Sequence, residues 1–252
     1  MPSMWTYPPM LTARVHGMML VGGDLHCWPG KQPTAWRAFC KLSRQLQPAA
    51  TVLNGDILDN AKVSRHGNLR GSHAPTVAEE AEEAARWIRG LWDGGLRVLT
   101  VGNHEERLDD YVANKAPELE DSALTLREVF EGWRLGYALE VNDGVAEVRH
   151  RGRHSGIHTA RNNALAAGRT TVTNHTHQLT CTPINNRGGR FWGVETGMLA
   201  EPDGPQFEYG EGTSNRWNAG FAVLTFGRDG MLRPPELVEE VGGVMWFRGQ
   251  RV

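Results

Sequence analysis

Five short polar clusters, each placed directly after an apolar, strand-like run, constrain this chain more than any other feature. Asp24-Leu25-His26 follows the run 18–21, Gly55-Asp56-Ile57-Leu58-Asp59 follows 51–53, and Gly102-Asn103-His104-Glu105 follows 98–101. A histidine near position 150 follows 145–148, and His175-Thr176-His177 follows 171–173. In open α/β sheets the C-terminal tips of the strands form the edge where ligands bind. Carboxylates, imidazoles and one carboxamide gathered there are what a two-metal hydrolytic site requires.

The runs between the clusters predict the architecture. Trp36, Phe39, Leu42 and Leu46 recur at helical spacing over 33–46. Pro75 opens a long helix to about residue 92, with Glu79, Glu80, Glu82 and Glu83 early, where the helix dipole favours anions. Strand, helix, strand, helix, strand is the pattern of a parallel sheet. A helical stretch is expected at 122–133, a hairpin turn at Asn142-Asp143-Gly144 between 137–141 and 145–150, and a helix at 155–167 closed by Gly168. From 190 onward the pattern predicts antiparallel strands at 191–195, 221–226 and 231–237, with a long loop at 202–218. Loops of that length in compact domains often serve function. Residues 1–16, with Pro2, Pro8 and Pro9, read as an irregular arm, and 17–252 as a single domain with a helical insertion at about 106–133.

Composition narrows the function class. At 252 residues the chain can bury a substantial core, and no linker separates the clusters. A net charge of −2 gives no overall basic footprint for nucleic acid. The distribution is uneven: residues 105–147 hold twelve acidic and four basic side chains, whereas 149–194 hold seven Arg and no Asp or Glu. The first stretch reads as a solvated, helix-rich surface. The second contains two of the clusters and biases the site towards anionic substrates. Cys27, Cys40 and Cys181 are odd in number and widely spaced, which suits free thiols in a reducing compartment. Cys27 reads as a buried thiol, because neighbouring side chains on a strand point apart and Cys27 adjoins His26. No signal-peptide pattern opens the sequence and no apolar run approaches the ~20 residues of a membrane span, so a cytoplasmic location is expected, without a membrane partner.

The clusters suggest how two ions could be held. Asp56 is the natural bridging carboxylate, Asp24 and His26 can share one ion, and His175 and His177 repeat their i, i+2 spacing. Asn103 would ligate through its amide oxygen. This mix of N and O donors suits Mn2+, Fe, Zn2+ or Ni2+ better than Mg2+, with Mn2+ favoured. His150 is the favoured histidine of the fourth cluster because it ends a strand, with His154 and His158 as alternatives. Asp59 is expected to orient a histidine rather than bind metal. Arg65, in the loop after the second cluster, is a candidate substrate contact, and Trp28 a candidate stacking surface for a base or aromatic leaving group.

In their order and spacing these clusters resemble the calcineurin-like metallophosphoesterases, which carry D-x-H, G-D-x-x-D, G-N-H-[DE], a histidine commonly followed by Gly, and G-H-x-H. The resemblance continues into Asn215-Arg216-Trp217-Asn218-Ala219-Gly220-Phe221, which is similar to a segment of bacterial and phage-encoded members, and covers about 18–227. It implies a four-layer α/β/β/α sandwich of two mixed sheets flanked by helices. It also implies that one metal takes Asp24, His26, Asp56 and His177, and the other Asp56, Asn103, His175 and the fourth-cluster histidine. His104 would contact the scissile phosphate and protonate the leaving group, while water activated by the ions attacks phosphorus. Trp217 would support the site wall. Two positions depart from the family pattern. Asn174 stands where Gly is usual, and Asn60 follows Asp59 where Ser/Thr protein phosphatases carry Arg, so a phosphate-gripping guanidinium is missing there. With His104 and the Arg-rich second half, this departure favours phosphodiesters of nucleic acid or nucleotides. A phosphomonoesterase and a metal-free binding scaffold of the same fold are the alternatives.

Overall fold

The computed structural model describes residues 6–64, 74–120, 122–210 and 217–252, with 208–210 described by their backbone alone. Its elements run β1 (Leu11–Ala13), β2 (Gly17–Gly22), α1 (Thr34–Leu46), β3 (Ala50–Leu53), α2 (Val77–Ile88), β4 (Leu96–Thr100), α3 (Glu106–Lys115), α4 (Leu126–Val129) and β5 (Arg134–Gly136). There follow β6 (Ala138–Val141), β7 (Ala146–Arg149), α5 (Thr159–Ala167), β8 (Thr170–Thr173), β9 (Leu179–Asn186) and β10 (Gly189–Thr196). The chain ends in β11 (Gly220–Phe226), β12 (Glu236–Val241), β13 (Val244–Phe247) and β14 (Gln250–Arg251).

Among the described residues these strands form two mixed sheets. One has the order β1-β6-β7-β8-β10-β9 and the other β14-β13-β12-β11-β2-β3-β4-β5. The run β2-β3-β4-β5 is parallel throughout, as the alternation of strands and helices predicts. Alternation along these strands feeds two separate cores. Met19, Val21, Val52 and Val98 point between the sheets, against Leu139, Val148, Val172 and Val194. Leu20, Leu53 and Leu99 point to the other face, where they meet Trp36 and Phe39 of α1 and Trp87 of α2. A sheet buried on both faces needs such continuously apolar strands. On the far side of the smaller sheet, Ala164 of α5 packs with Ile184 and Phe191. The result is the expected α/β/β/α layering, with helices flanking both sheets.

Several element boundaries differ from the sequence pattern. The stretch 1–16 contains β1, whose Leu11 pairs with Leu139; three residues beside two prolines are too few to show a period. Helix α2 starts after Thr76 rather than at Pro75, because Thr76 and Glu79 close a capping box. The insertion is helical mainly at α3; of the expected helix at 122–133 only α4 forms, capped by Thr125 and Glu128. The expected helix at 155–167 begins at Thr159 and ends at Gly168 in the left-handed region. The strand expected at 231–237 lies at β12 instead, beyond Pro234 and Pro235, which lack the N–H a ladder needs. Edge strand β9 carries Pro183, a residue tolerated at sheet edges, and its pairing with β10 was not foreseen. No helix among the described residues is long and apolar enough to cross a membrane.

Candidate metal centre

All five clusters sit just past strand tips: Asp24 after β2, Asp56 after β3, Asn103 after β4, His150 after β7 and His175 after β8. The first two loops are laced together. Asp24 N donates to Gly55 O at 2.9 Å, His26 N to Asp56 O at 2.9 Å and Cys27 N to Ile57 O at 2.8 Å. The backbone here is unusual. Asp24, His26, Asp56, His175 and His177 all have positive φ, between 43° and 75°. Each such non-glycine conformation costs about 1–3 kcal/mol, and the arrangement turns the five side chains inward instead of letting them alternate. Gly55 and Gly102 allow this crowding. A side chain on Gly55 would strike the His150 ring, and one on Gly102 would strike Asp56.

Three groups of donor atoms lie close enough to hold an ion: Asp24, His26 and His177; Asp56, His150 and His175; and His26, Asp59 and His104. In the first, His26 Nε2 lies 3.8 Å and His177 Nε2 3.6 Å from Asp24 Oδ1. In the second, His150 Nε2 lies 3.1 Å from Asp56 Oδ2. The third trio is already hydrogen-bonded within itself. Asp59 Oδ1 meets His26 Nδ1 at 3.0 Å and His104 Nδ1 at 2.8 Å, which orients both rings. His104 Nε2 then faces Asp56 Oδ2 at 3.7 Å.

The donor atoms left over test the fit of a cation. Asp24 Oδ1, His26 Nε2, Asn103 Oδ1, His150 Nε2 and His177 Nδ1 are buried without a hydrogen-bond partner among the described residues. An unsatisfied buried polar atom costs roughly 1–3 kcal/mol, and three of these, Asp24 Oδ1, His26 Nε2 and His150 Nε2, belong to the Asp24 and Asp56 donor groups, which is where a cation would satisfy them. Their partner atoms are tied down. Asp24 Oδ2 accepts from Asn174 Nδ2 at 3.0 Å and His175 N at 2.9 Å, while His150 Nδ1 donates to Asn54 O at 2.9 Å. The carboxylates stay ionised. Burial alone would raise Asp24, yet the His177 and His150 imidazoles bring it down to about 2. Asp56 is likewise held well below the ordinary carboxylate value: burial opposes this, but His150 and His104 outweigh it. Burial, then the neighbouring His150, lowers His175 to about 4, which keeps that ring neutral.

Of the fourth-cluster histidines, His150 is buried at the site, whereas His154 and His158 are exposed. Cys27 is fully buried and joins none of the donor groups. Trp28 is half-buried and is not among the described rings packed on the imidazoles. Arg65 lies outside the described residues. Phe207 packs 5.0 Å from His26, and Trp217 lies 4.6 Å from His177, so these two rings wall the centre on one side. The family resemblance marks Trp217 for this wall, and no motif marks Phe207.

Three carboxylates or amides with structural duties escaped the sequence pattern. Glu105 accepts from the backbone N–H groups of Asp56 at 2.8 Å, Ile57 at 2.6 Å, Leu58 at 3.1 Å and Gly102 at 2.9 Å. It thereby pins the Asp56 loop to the Asn103 loop. Glu80 lies among the dipole-favoured glutamates of α2 but is 1% exposed and accepts from Asp59 N and Asn60 N. Asn174 uses all its bonding capacity: it donates to Asp24 and Gly197 and accepts from Asn54 and Thr196. The acidic stretch is also not merely a solvated surface, since Glu106, Asp109, Asp110 and Glu120 line a cavity with Tyr137. Finally, the site does contain a guanidinium. Arg107 of α3 places Nη2 2.8 Å from His104 Nε2, whereas Asn60, standing where protein phosphatases carry Arg, donates its Nδ2 to His104 O at 3.0 Å.

Among solved structures the chain is similar to Vps29 complexed with Zn2+ from Entamoeba histolytica, at 14% identity and a TM-score of 0.46, covering 93% of this chain and 98% of that one. It is similar to YfcE, a phosphoesterase from E. coli, at 13% identity and a TM-score of 0.42, covering 86% and 97%. It is also similar to an archaeal phosphodiesterase at 12% identity and a TM-score of 0.43, covering 88% and 99%. No curated protein sequence matches it. The family model of the calcineurin-like phosphoesterases matches residues 19–189, which include every box that surrounds the centre. With most of its length and all five clusters inside that match, this chain belongs to the calcineurin-like phosphoesterase family.

Proposed function

We propose that this chain is a dinuclear-metal-dependent phosphodiesterase acting on nucleic acid or nucleotide substrates. The observation that carries the reading is the pair of donor groups, Asp24 with His26 and His177 and Asp56 with His150 and His175, drawn from separate strand tips, in which Asp24 Oδ1, His26 Nε2 and His150 Nε2 are buried without a hydrogen-bond partner. Asp24, His26, Asp56 and His177 would hold one ion, and Asp56, Asn103, His150 and His175 the other. When bound, the ions supply an acidified water to attack phosphorus and positive charge to offset the phosphoryl oxygens. Mn2+ is favoured by the N/O donor mix, with Fe, Zn2+ and Ni2+ also suited.

The chain's own residues do the rest. Asp59 holds the His104 ring so that Nε2 faces the Asp56 side of the pocket, where it accepts from Arg107 Nη2 at 2.8 Å; in the acid role a proton on Nε2 would replace that bond and pass to the leaving oxygen. Asn103 and His104 touch the phosphoryl group. Phe207 and Trp217 exclude water from the His26 and His177 side. The preference for diesters rests on this acid and on the exposed Arg151, Arg153 and Arg161 beyond His150, which suit a polyanionic strand. The segment 215–221 favours the bacterial and phage-encoded branch of the family, though Asn215 and Arg216 lie outside the described residues. The three free cysteines suit a cytoplasmic location.

A phosphomonoesterase is the second reading, favoured by one observation: the Arg107 guanidinium beside His104 suits a doubly charged terminal phosphate. Turnover of bis(p-nitrophenyl) phosphate against p-nitrophenyl phosphate with Mn2+, alongside metal analysis, tests both. Diester preference with two ions per chain supports the proposal, and monoester-only turnover transfers it to the second reading. A chain that binds no metal and turns over neither ester is a scaffold.

A further inference from the structure

The geometry points to Arg107 as the residue that grips the phosphate of the substrate, a role that none of the sequence motifs assigns. The inference rests on the phosphoester-hydrolase reading above and holds for either ester class. Arg107 lies in the first turn of α3, directly after the third box, and its side chain is 22% exposed. Nη1 donates to Asp59 O at 2.8 Å and faces Asp59 Oδ1 at 3.6 Å, so one edge of the guanidinium is anchored. Nη2 lies 2.8 Å from His104 Nε2, the atom that itself stands 3.7 Å from Asp56 Oδ2.

These bonds use two of the five N–H groups of a guanidinium and leave three without a described partner. A guanidinium presents its donors in a fixed planar fork that matches two phosphate oxygens. Its position is set by a buried loop rather than by solvent. It is held beside the ring that faces the Asp56 carboxylate, where an ester phosphate must sit to be attacked. A purely structural arginine pinning the 59–60 loop would not need its second edge aimed at His104.

The test uses the full chain loaded with Mn2+ and inorganic phosphate as the probe, with binding read by calorimetry and bound metal by elemental analysis. Arg107→Gln is expected to weaken phosphate binding about ten- to a hundredfold, the range for losing charge-assisted bonds, with bound metal unchanged. Arg107→Lys should lose less, since the charge remains but the fork does not. For ester turnover the loss should appear mainly as a raised KM. Unchanged phosphate affinity in Arg107→Gln overturns the inference while wild-type turnover leaves the phosphoesterase reading standing. Equal loss of metal in Arg107→Gln also overturns it, because Arg107 would then act only by supporting Asp59. A wild-type chain that holds Mn2+ but hydrolyses neither ester overturns both.

Discussion

Asn174 Nδ2 donates to Asp24 Oδ2 at 3.0 Å, joining two strand tips that lie 150 positions apart in the chain. The bond fixes one oxygen of Asp24 and leaves the other, buried and unpaired, facing His26 and His177. Where family members commonly have Gly, this chain has a carboxamide that positions a proposed metal ligand.

Asn174→Gly should therefore weaken metal binding without removing a ligand. Losing an outer hydrogen bond to a ligand typically costs ten- to a hundredfold in affinity, and about that loss is expected in a Mn2+ titration. Undiminished Mn2+ affinity would mean that His175 N alone suffices to hold Asp24.

Asp56→Asn and His104→Ala should both reduce ester turnover by orders of magnitude, but for different reasons. Asp56 faces His150 at 3.1 Å in one donor group, whereas His104 is engaged by Asp59 and Arg107. Only Asp56→Asn is expected to lower bound metal in elemental analysis. Equal metal loss in the two variants would remove His104 from its proposed acid role.

Glu105 should matter for stability more than for chemistry. Glu105→Ala strips acceptors from four backbone N–H groups at 2.6–3.1 Å. At about 1–3 kcal/mol per buried donor left unpaired, with some rescued by water, a loss of about 3 kcal/mol or more is expected in denaturant unfolding. A change below about 1 kcal/mol would show that the loop holds its shape without this carboxylate.

Glu80 gives a pH signature. Burial, aided by the negative charge of Asp59, pushes its carboxyl from 4.5 up to about 8. Between these values the folded protein holds a proton that the unfolded chain releases, so this group's contribution is greatest at low pH and fades as pH rises through about 8. The slope approaches about 1.4 kcal/mol per pH unit for one proton. Glu80→Gln should flatten the pH dependence of unfolding between pH 5 and 8, and an unaltered slope in that variant would sink the assignment.

Divalent ions should stabilise the fold itself. The orphaned donor atoms of Asp24, His26 and His150 in the two donor groups are costs that the unfolded chain does not bear. Mn2+ at a hundred times its Kd is expected to add about 2.7 kcal/mol by mass action, visible as a rise in Tm that a chelator reverses. The same rise in an Asp24→Ala, Asp56→Ala double variant would place the ions elsewhere.

Much of this was legible in the linear chain. Short continuous apolar runs, separated by helical spacing at Trp36, Phe39 and Leu42, are enough to indicate a parallel sheet with helices on its face. The short motifs Asp24-Leu25-His26, Gly55–Asp59 and Gly102–Glu105 mark strand tips because their residues cannot continue a buried apolar strand. The weaker signals failed where a neighbour overrode local preference. Thr76 and Glu79 moved the start of α2, the Pro234-Pro235 pair displaced β12, and β1 was too short for any pattern to register.

The residues that hold the centre in shape could not be read this way. Glu80 and Arg107 look like ordinary polar residues of helices, and Glu105 and Asn174 stand out only by their place in a box, yet each acquires its role from a partner 3 to 150 positions distant. Side-chain periodicity reports which face of an element is apolar, and that is a local property. Which backbone N–H a buried carboxylate satisfies, and which imidazole a guanidinium meets, depends on how separate strand tips pack side by side, and only the folded chain brings those groups within bonding distance.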